Sequence, residues 1–226
     1  MKYSECFYTI QGEGRYLGVP SVFFRTSYCN LRCSWCDTPY TSWTPENKQI
    51  TIEDAFKQIM EFDCTHVVIT GGEPFVQLKE LEALCRLLHN EDRYITIETN
   101  ATIYGDVDAQ FISMSPKLRN SNPEKENKHF NNHSAKRINA KVIELFYKFY
   151  DCQIKFVVDN PSDMVEIDRI QRPLGIPPSS IVLMPQGITA EELRPKQEWL
   201  IEICKEHGYT YSPRLHVDIW GNKRGV

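Results

Sequence analysis

At 226 residues, 41% hydrophobic and 25% charged, the chain has the make-up of an ordinary globular protein with room for one substantial core. A formal net charge of -4 argues against a broad nucleic-acid footprint, and no apolar run approaches membrane-spanning length, so neither kind of partner is expected. The 8 Cys are scattered and Met1–Gln11 lacks the apolar stretch of a secretory signal, so a reducing compartment, the cytoplasm, is expected.

In chain order, strand-like Cys6–Ile10 leads into the loop Gln11-Gly12-Glu13-Gly14. β-Branched and aromatic runs then predict strands over Ser21–Ser27, His66–Thr70, Tyr94–Glu98, Gln110–Ser115, Gln153–Val158 and Ser180–Met184. Between them, amphipathic patterns predict helices over Ile52–Phe62, Leu78–Leu88, Ala135–Tyr150, Asp163–Gln171 and Ala190–His207. Thr51 is a candidate N-cap for the first helix, and Thr189 with Glu192 forms a candidate capping box for the last. Strand–helix alternation implies a parallel sheet, and about six such units are too few for a complete eight-fold barrel. The expected fold is therefore α/β, an open partial parallel β/α barrel, in a single domain over residues 1–226. Asn120–Ser134 is polar and bounded by Pro123; it reads as a loop or lid near 117–135, or as a disordered insertion. The tail 212–226 holds no long periodic segment and is expected to close the site.

In such folds ligands gather at the carboxyl ends of the strands. Most of the chain's unusual residues fall there. Cys29 follows the first of the six strands, Thr70-Gly71-Gly72-Glu73-Pro74 the second, and Glu98-Thr99-Asn100 ends the third. Ser115-Pro116-Lys117 ends the fourth, Lys155 lies within the fifth, and Pro185-Gln186-Gly187 follows the sixth. Packing alone does not explain so many polar residues on one rim.

Cys29, Cys33 and Cys36 are spaced C-x3-C-x2-C, with Trp35 before the last and Asp37-Thr38 after it. Three thiolates would hold three irons of a four-iron cluster and leave the fourth open. The bland alternative, structural zinc, wants four ligands, and Cys64, His66 and Cys85 are not at knuckle spacing from the trio. Cys6, Cys64, Cys85, Cys152 and Cys204 lie in apolar-patterned segments and are expected to pack as small hydrophobes.

The three-cysteine pattern with Trp35, followed by Gly71-Gly72-Glu73-Pro74 after the next strand, resembles the radical S-adenosylmethionine enzymes. In those, the open iron of a 4Fe-4S cluster binds S-adenosylmethionine and cleaves it to a 5′-deoxyadenosyl radical. The combination of Tyr8–Gly14, Phe24-Arg25, Glu98–Asn100, Ser115–Lys117 and His216-x3-Trp220 resembles one branch, the 7-carboxy-7-deazaguanine synthases, over most of the chain. The resemblance implies conversion of 6-carboxy-5,6,7,8-tetrahydropterin to 7-carboxy-7-deazaguanine with loss of ammonia, on the route to queuosine.

It also implies roles. Ile10, Gln11, Gly12, Thr70 and His216 would bind the pterin, and Arg25 its carboxylate, a task suited to a planar two-pronged donor. Trp35, Gly72, Glu73, Glu98, Ser115, Pro116, Lys117 and Gln186 would bind S-adenosylmethionine. Thr38 would ligate Mg2+. An electron donor such as a flavodoxin or ferredoxin and a homodimer are implied as partners. Ala101 stands where the branch usually has glycine, and an alanine there is strained if the position needs positive φ. Two rival functions stay open: an activase that installs a glycyl radical on a partner protein, and a non-catalytic iron–sulfur or zinc binding module.

Overall fold

A computed structural model describes residues 1–226 as one eight-stranded sheet in which spatial order follows chain order. The strands are β1 (Tyr3–Ile10), β2 (Pro20–Thr26), β3 (His66–Gly71), β4 (Tyr94–Thr99), β5 (Phe111–Met114), β6 (Asp151–Val158), β7 (Ile181–Pro185) and β8 (Thr210–Tyr211). β1 pairs antiparallel with β2; every later pairing is parallel. The outermost strands, β1 and β8, do not pair with each other, so the barrel is open. The six expected strands form its centre. β1 runs longer than the strand-like Cys6–Ile10, and β8 is too short for a period-two signal.

The helices are α1 (Pro39–Ser42), α2 (Ile52–Met60), α3 (Leu78–Asn90), α4 (Phe130–Lys136), α5 (Ala140–Phe149), α6 (Met164–Leu174), α7 (Ala190–His207) and α8 (Leu215–Trp220). Thr51 caps α2 by accepting from the Asp54 amide at 3.1 Å. At α7, Thr189 accepts from the Glu192 amide at 3.3 Å, while Glu192 reaches past the cap to the Ile188 amide at 2.7 Å. The single helix expected over Ala135–Tyr150 is two. Asn139 takes an extended conformation and its side chain accepts from the Val142 amide, which starts α5 afresh.

Side-chain alternation along the strands separates two environments. Val22, Phe24, Val67, Ile69, Ile95, Ile97, Ile112, Ile154 and Phe156 belong to one buried hydrophobic core with residues of α3, α5 and α6. Their strand neighbours Phe23, Arg25, Glu98, Ser113, Lys155 and Val157 point the other way and line a cleft. β3, β6 and β7 are buried almost throughout, as parallel strands covered on both faces are.

The expected loop or lid over 117–135 is built into the structure rather than standing free. Ser121 and His133 are fully buried, and α4 occupies part of the stretch. The segment packs on the cysteine loop: the Ser34 amide donates to the Ser121 carbonyl at 2.9 Å, and the Arg32 amide to His133 Nδ1 at 3.0 Å. The Ser121 hydroxyl donates to the Leu118 carbonyl, so it accepts from His133 Nε2–H at 3.0 Å, which leaves Nδ1 as the acceptor.

Candidate active site

The cysteine loop leaves β2 through Tyr28, whose φ of +80° is a strained conformation for a bulky residue. Backbone donors and hydroxyls surround the thiols. Cys29 Sγ accepts from the Leu31 amide at 3.4 Å, Cys36 Sγ lies 3.1 Å from the Ser42 hydroxyl, and Trp43 Nε1 donates to the Cys33 carbonyl at 2.9 Å. Burial pushes the Cys29 thiol up to about 11 and the Cys33 thiol up to about 12. All three cysteines line one cleft of about 410 Å³.

The donor set fits a cluster better than a lone ion. No three His, Cys, Asp or Glu side chains converge on a single metal position. A cluster spreads its three thiolates over three irons, and soft sulfur ligands suit iron–sulfur chemistry.

Trp35, Gly72, Ser115, Lys117 and Gln186, the residues assigned to the cofactor by resemblance, line the cleft. Trp35 Nε1 is fixed on the Asn120 carbonyl at 2.9 Å, and Lys117 Nζ donates to the Ser115 hydroxyl at 2.7 Å. Lys196 holds Gln186, donating to its side-chain oxygen at 3.0 Å. Gly72 is demanded by the backbone, since a Cβ there would collide with the Tyr28 carbonyl.

Two expected cofactor residues lie elsewhere. Pro116 is buried behind the cleft wall. Glu73 is fully buried and absent from the cleft lining. Its carboxylate accepts from the Phe75 amide at 3.1 Å, the Thr99 hydroxyl at 2.7 Å and the Asn100 amide at 2.7 Å. Burial raises it to about 7, against the pull of those three donors. Glu73 thus braces the end of β4, where Asn100 Nδ2 stands 3.8 Å from Cys29 Sγ. Beside it Ala101 does adopt positive φ, +57°, a conformation that costs an alanine about 1 kcal/mol.

Glu98 also differs from expectation. It lines the cleft, but its partners are residues of the expected pterin wall: Gln11 Nε2 at 3.1 Å and the Thr70 hydroxyl at 2.7 Å. Ile10, Gly12 and His216 line the cleft with them. Gly12 and His216 are in such close contact that a Cβ on Gly12 would collide with the imidazole. Burial lowers the His216 pKa. Arg25 donates through Nε to Glu5 at 2.7 Å and stands over Phe7 at 5.7 Å, while its two terminal nitrogens bond no protein group. The Thr38 hydroxyl lies on the wall next to the cysteine loop, 3.9 Å from Cys36 Sγ and 3.3 Å from the Thr41 hydroxyl.

A buried charge network joins these parts. Glu13 takes Lys155 on one oxygen and Arg214 Nε on the other, the latter at 3.1 Å; the side chains are 13%, 6% and 7% exposed. Arg214 also bonds Asp37, next to Cys36, and the Gly187 carbonyl. Burial alone would raise Glu13 and Asp37. Lys155 and Arg214 override it at Glu13, and Arg214 at Asp37, so both carboxyls lie below their ordinary values. Lys155, despite burial, is raised by Glu13 and Glu98. Sequence reasoning misses this network. Its one signal is a lysine inside the apolar run Gln153–Val158, with a carboxylate in a Gly-Glu-Gly loop as its remote partner.

Comparison with known proteins gives the family and the fold. Residues 23–116, from β2 past β5, match the Radical SAM superfamily. A 7-carboxy-7-deazaguanine synthase of Halobacterium salinarum is 39% identical over 97% of this chain and 90% of its own. The synthase of Rhodopirellula baltica is 40% identical over 99% of this chain and 88% of its own. The crystal structure of QueE from Escherichia coli shares the fold, with a TM-score of 0.69 and 24% identity over 95% of this chain and 93% of that one. On the strength of these near-full-length relatives and the superfamily match, the chain belongs to the 7-carboxy-7-deazaguanine synthase family, radical S-adenosylmethionine enzymes of 7-deazapurine biosynthesis that carry a 4Fe-4S cluster.

Proposed function

We propose that the cleft converts 6-carboxy-5,6,7,8-tetrahydropterin to 7-carboxy-7-deazaguanine, with ammonia lost and the ring contracted. The observation that carries this reading is Arg25. It stands on the same wall as Gln11, Thr70 and Glu98, with two nitrogens open to the cleft. A carboxylate on the substrate would take both through paired charge-assisted hydrogen bonds. Glu98, already shared by Gln11 and Thr70, would accept from ring N–H groups, and the Gln11–Gly12 backbone with His216 would confine the ring.

When bound, the cluster and S-adenosylmethionine supply a carbon radical that abstracts hydrogen. This chain's part is to hold both molecules and exclude water. Trp35, Gly72, Ser115, Lys117 and Gln186 would form the cofactor side, and Cys29, Cys33 and Cys36 would hold the cluster. The Thr38 hydroxyl, on the cleft wall beside the cysteine loop, would ligate Mg2+ together with substrate oxygens, because that hard ion prefers oxygen ligands. The same reading includes a one-electron donor such as a flavodoxin or ferredoxin, a homodimer and a reducing, cytoplasmic setting.

Arg25→Lys keeps the charge but loses the fork. We expect the Michaelis constant for the pterin to rise about tenfold or more, the loss of one charge-assisted hydrogen bond. Reductive cleavage of S-adenosylmethionine without substrate should persist. An unchanged Michaelis constant would remove Arg25 from the substrate site.

A further inference from the structure

The segment after α8 has no regular structure of its own. Asn222, Lys223, Arg224 and Gly225 are exposed, yet they line the mouth of the cleft along with Val226. α8 is held at its start by buried Arg214, on Glu13 and Asp37. Ten residues further on, a second arginine fastens the far end. Arg224 Nη1 and Nη2 each donate to a Glu46 oxygen at 2.8 Å, Nη2 also donates to the Ser4 hydroxyl at 2.9 Å, and Nε donates to Glu5 at 2.7 Å. The guanidinium lies 4.1 Å over the ring of Tyr40, the second residue of α1. Carboxylate bonds in its plane and an aromatic ring over its face are what a planar guanidinium satisfies and an ammonium does not.

Glu5 connects this contact to the proposed substrate site. A β-bulge between Tyr3 and Glu5 shifts the register of β1 and sets Glu5 opposite Arg25. One oxygen of Glu5 accepts from Arg25 Nε at 2.7 Å and from the Tyr40 hydroxyl at 3.0 Å; the other accepts from Arg224 Nε. Lys48, 3.6 Å from Glu46, adds a third cation to the two arginines and two carboxylates. If Arg224 leaves, Glu5 is held through one oxygen alone, by Arg25 and Tyr40, and the Arg25 plane it anchors is less firmly fixed.

We propose that Arg224 is a positioning residue for the substrate: it latches the segment after α8 across the cleft and, through Glu5, fixes the orientation of Arg25. The effect on substrate affinity rests on the reading of Arg25 as the carboxylate ligand; the latch itself does not.

The test uses cluster-loaded protein with S-adenosylmethionine, as wild type, Arg224→Ala and Arg224→Lys, with Arg25→Lys alongside. Two quantities are read: hydrogen–deuterium exchange of peptides covering residues 215–226, and the Michaelis constants for the tetrahydropterin and for S-adenosylmethionine. Arg224→Ala should speed exchange in 221–226 about tenfold and raise the pterin constant by about tenfold, the weight of one charge-assisted contact. The S-adenosylmethionine constant should stay within about twofold of wild type. Arg224→Lys should fall between, because it keeps the charge and loses the fork. Unchanged exchange would overturn the latch, and faster exchange with an unmoved pterin constant, where Arg25→Lys does raise that constant, would overturn the positioning role. So would equal rises in both constants, which mark a general loss of structure. If Arg224→Ala behaves as stated while Arg25→Lys binds pterin normally, the latch stands as the closure of the cleft and the reading of Arg25 is what fails.

Discussion

Glu13→Gln probes the buried charge network in the wall of the cleft. Glu13 is nearly isosteric with glutamine, so the change removes charge and leaves volume. It strands Lys155, which is almost fully buried and whose remaining anionic neighbour is Glu98. Removing one partner of a buried ion pair costs about 3–5 kcal/mol, because the other charge stays out of water. Arg214 keeps Asp37 and the Gly187 carbonyl, so the low end applies, about 3 kcal/mol. For a chain of this length, 1 kcal/mol moves the thermal midpoint by about 2–4 °C, so Tm should fall by roughly 6–12 °C. Pairing the change with Lys155→Met removes both charges, and the double variant should lose less than the sum of the two singles by about 1 kcal/mol or more. The assay is thermal unfolding of the iron-free protein followed by circular dichroism, at low salt and at about 0.5 M salt, since a buried network is only weakly screened. A Glu13→Gln midpoint within about 2 °C of wild type, or strict additivity in the double variant, would refute the reasoning.

Three further outcomes follow from the geometry. Cys33→Ala should abolish iron binding on reconstitution, whereas Cys85→Ala, in the hydrophobic core, should retain the cluster; equal loss of iron in both would show the ligands misassigned. Thr38→Ala should flatten the dependence of turnover on magnesium concentration, and Thr38→Ser, which keeps the oxygen, should preserve it; identical curves in wild type and Thr38→Ala would return Thr38 to an ordinary loop position. Burial, with Arg137 and Lys117, pushes His133 down to about 4 from an ordinary value of 6.5. Between those two values the unfolded chain binds the extra proton, so stability should fall as pH drops from 6.5 towards 4, and His133→Gln should make that slope shallower in denaturant unfolding of the iron-free protein.

The parts of the fold that were legible in the sequence are those with local periodicity. The six central strands announce themselves as β-branched runs, and α7 has the expected bounds, Ala190–His207, with Thr189 as cap. The break at Asn139 was hidden because apolar spacing continues across it; the extended residue is set by its own side chain capping α5. Asn120–Ser134 is polar in composition, yet its few key contacts go to backbone groups of the cysteine loop, which composition does not register. Motif positions were legible as positions and not as directions. Glu73 belongs to a recognisable Gly-Gly-Glu-Pro run, but its carboxylate turns away from the cleft to brace Thr99 and Asn100. The pairings Glu13–Lys155 and Arg224–Glu46 span 142 and 178 residues, and no local pattern joins partners so far apart in the chain.

The most direct measurement is anaerobic turnover. Reconstituted protein, S-adenosylmethionine, Mg2+, a one-electron reductant and 6-carboxy-5,6,7,8-tetrahydropterin are combined, and the mixture is read by mass spectrometry. The account predicts 7-carboxy-7-deazaguanine and ammonia in equal amounts. Stoichiometric 5′-deoxyadenosine with no deazaguanine product, from protein with a full complement of cluster, would contradict it.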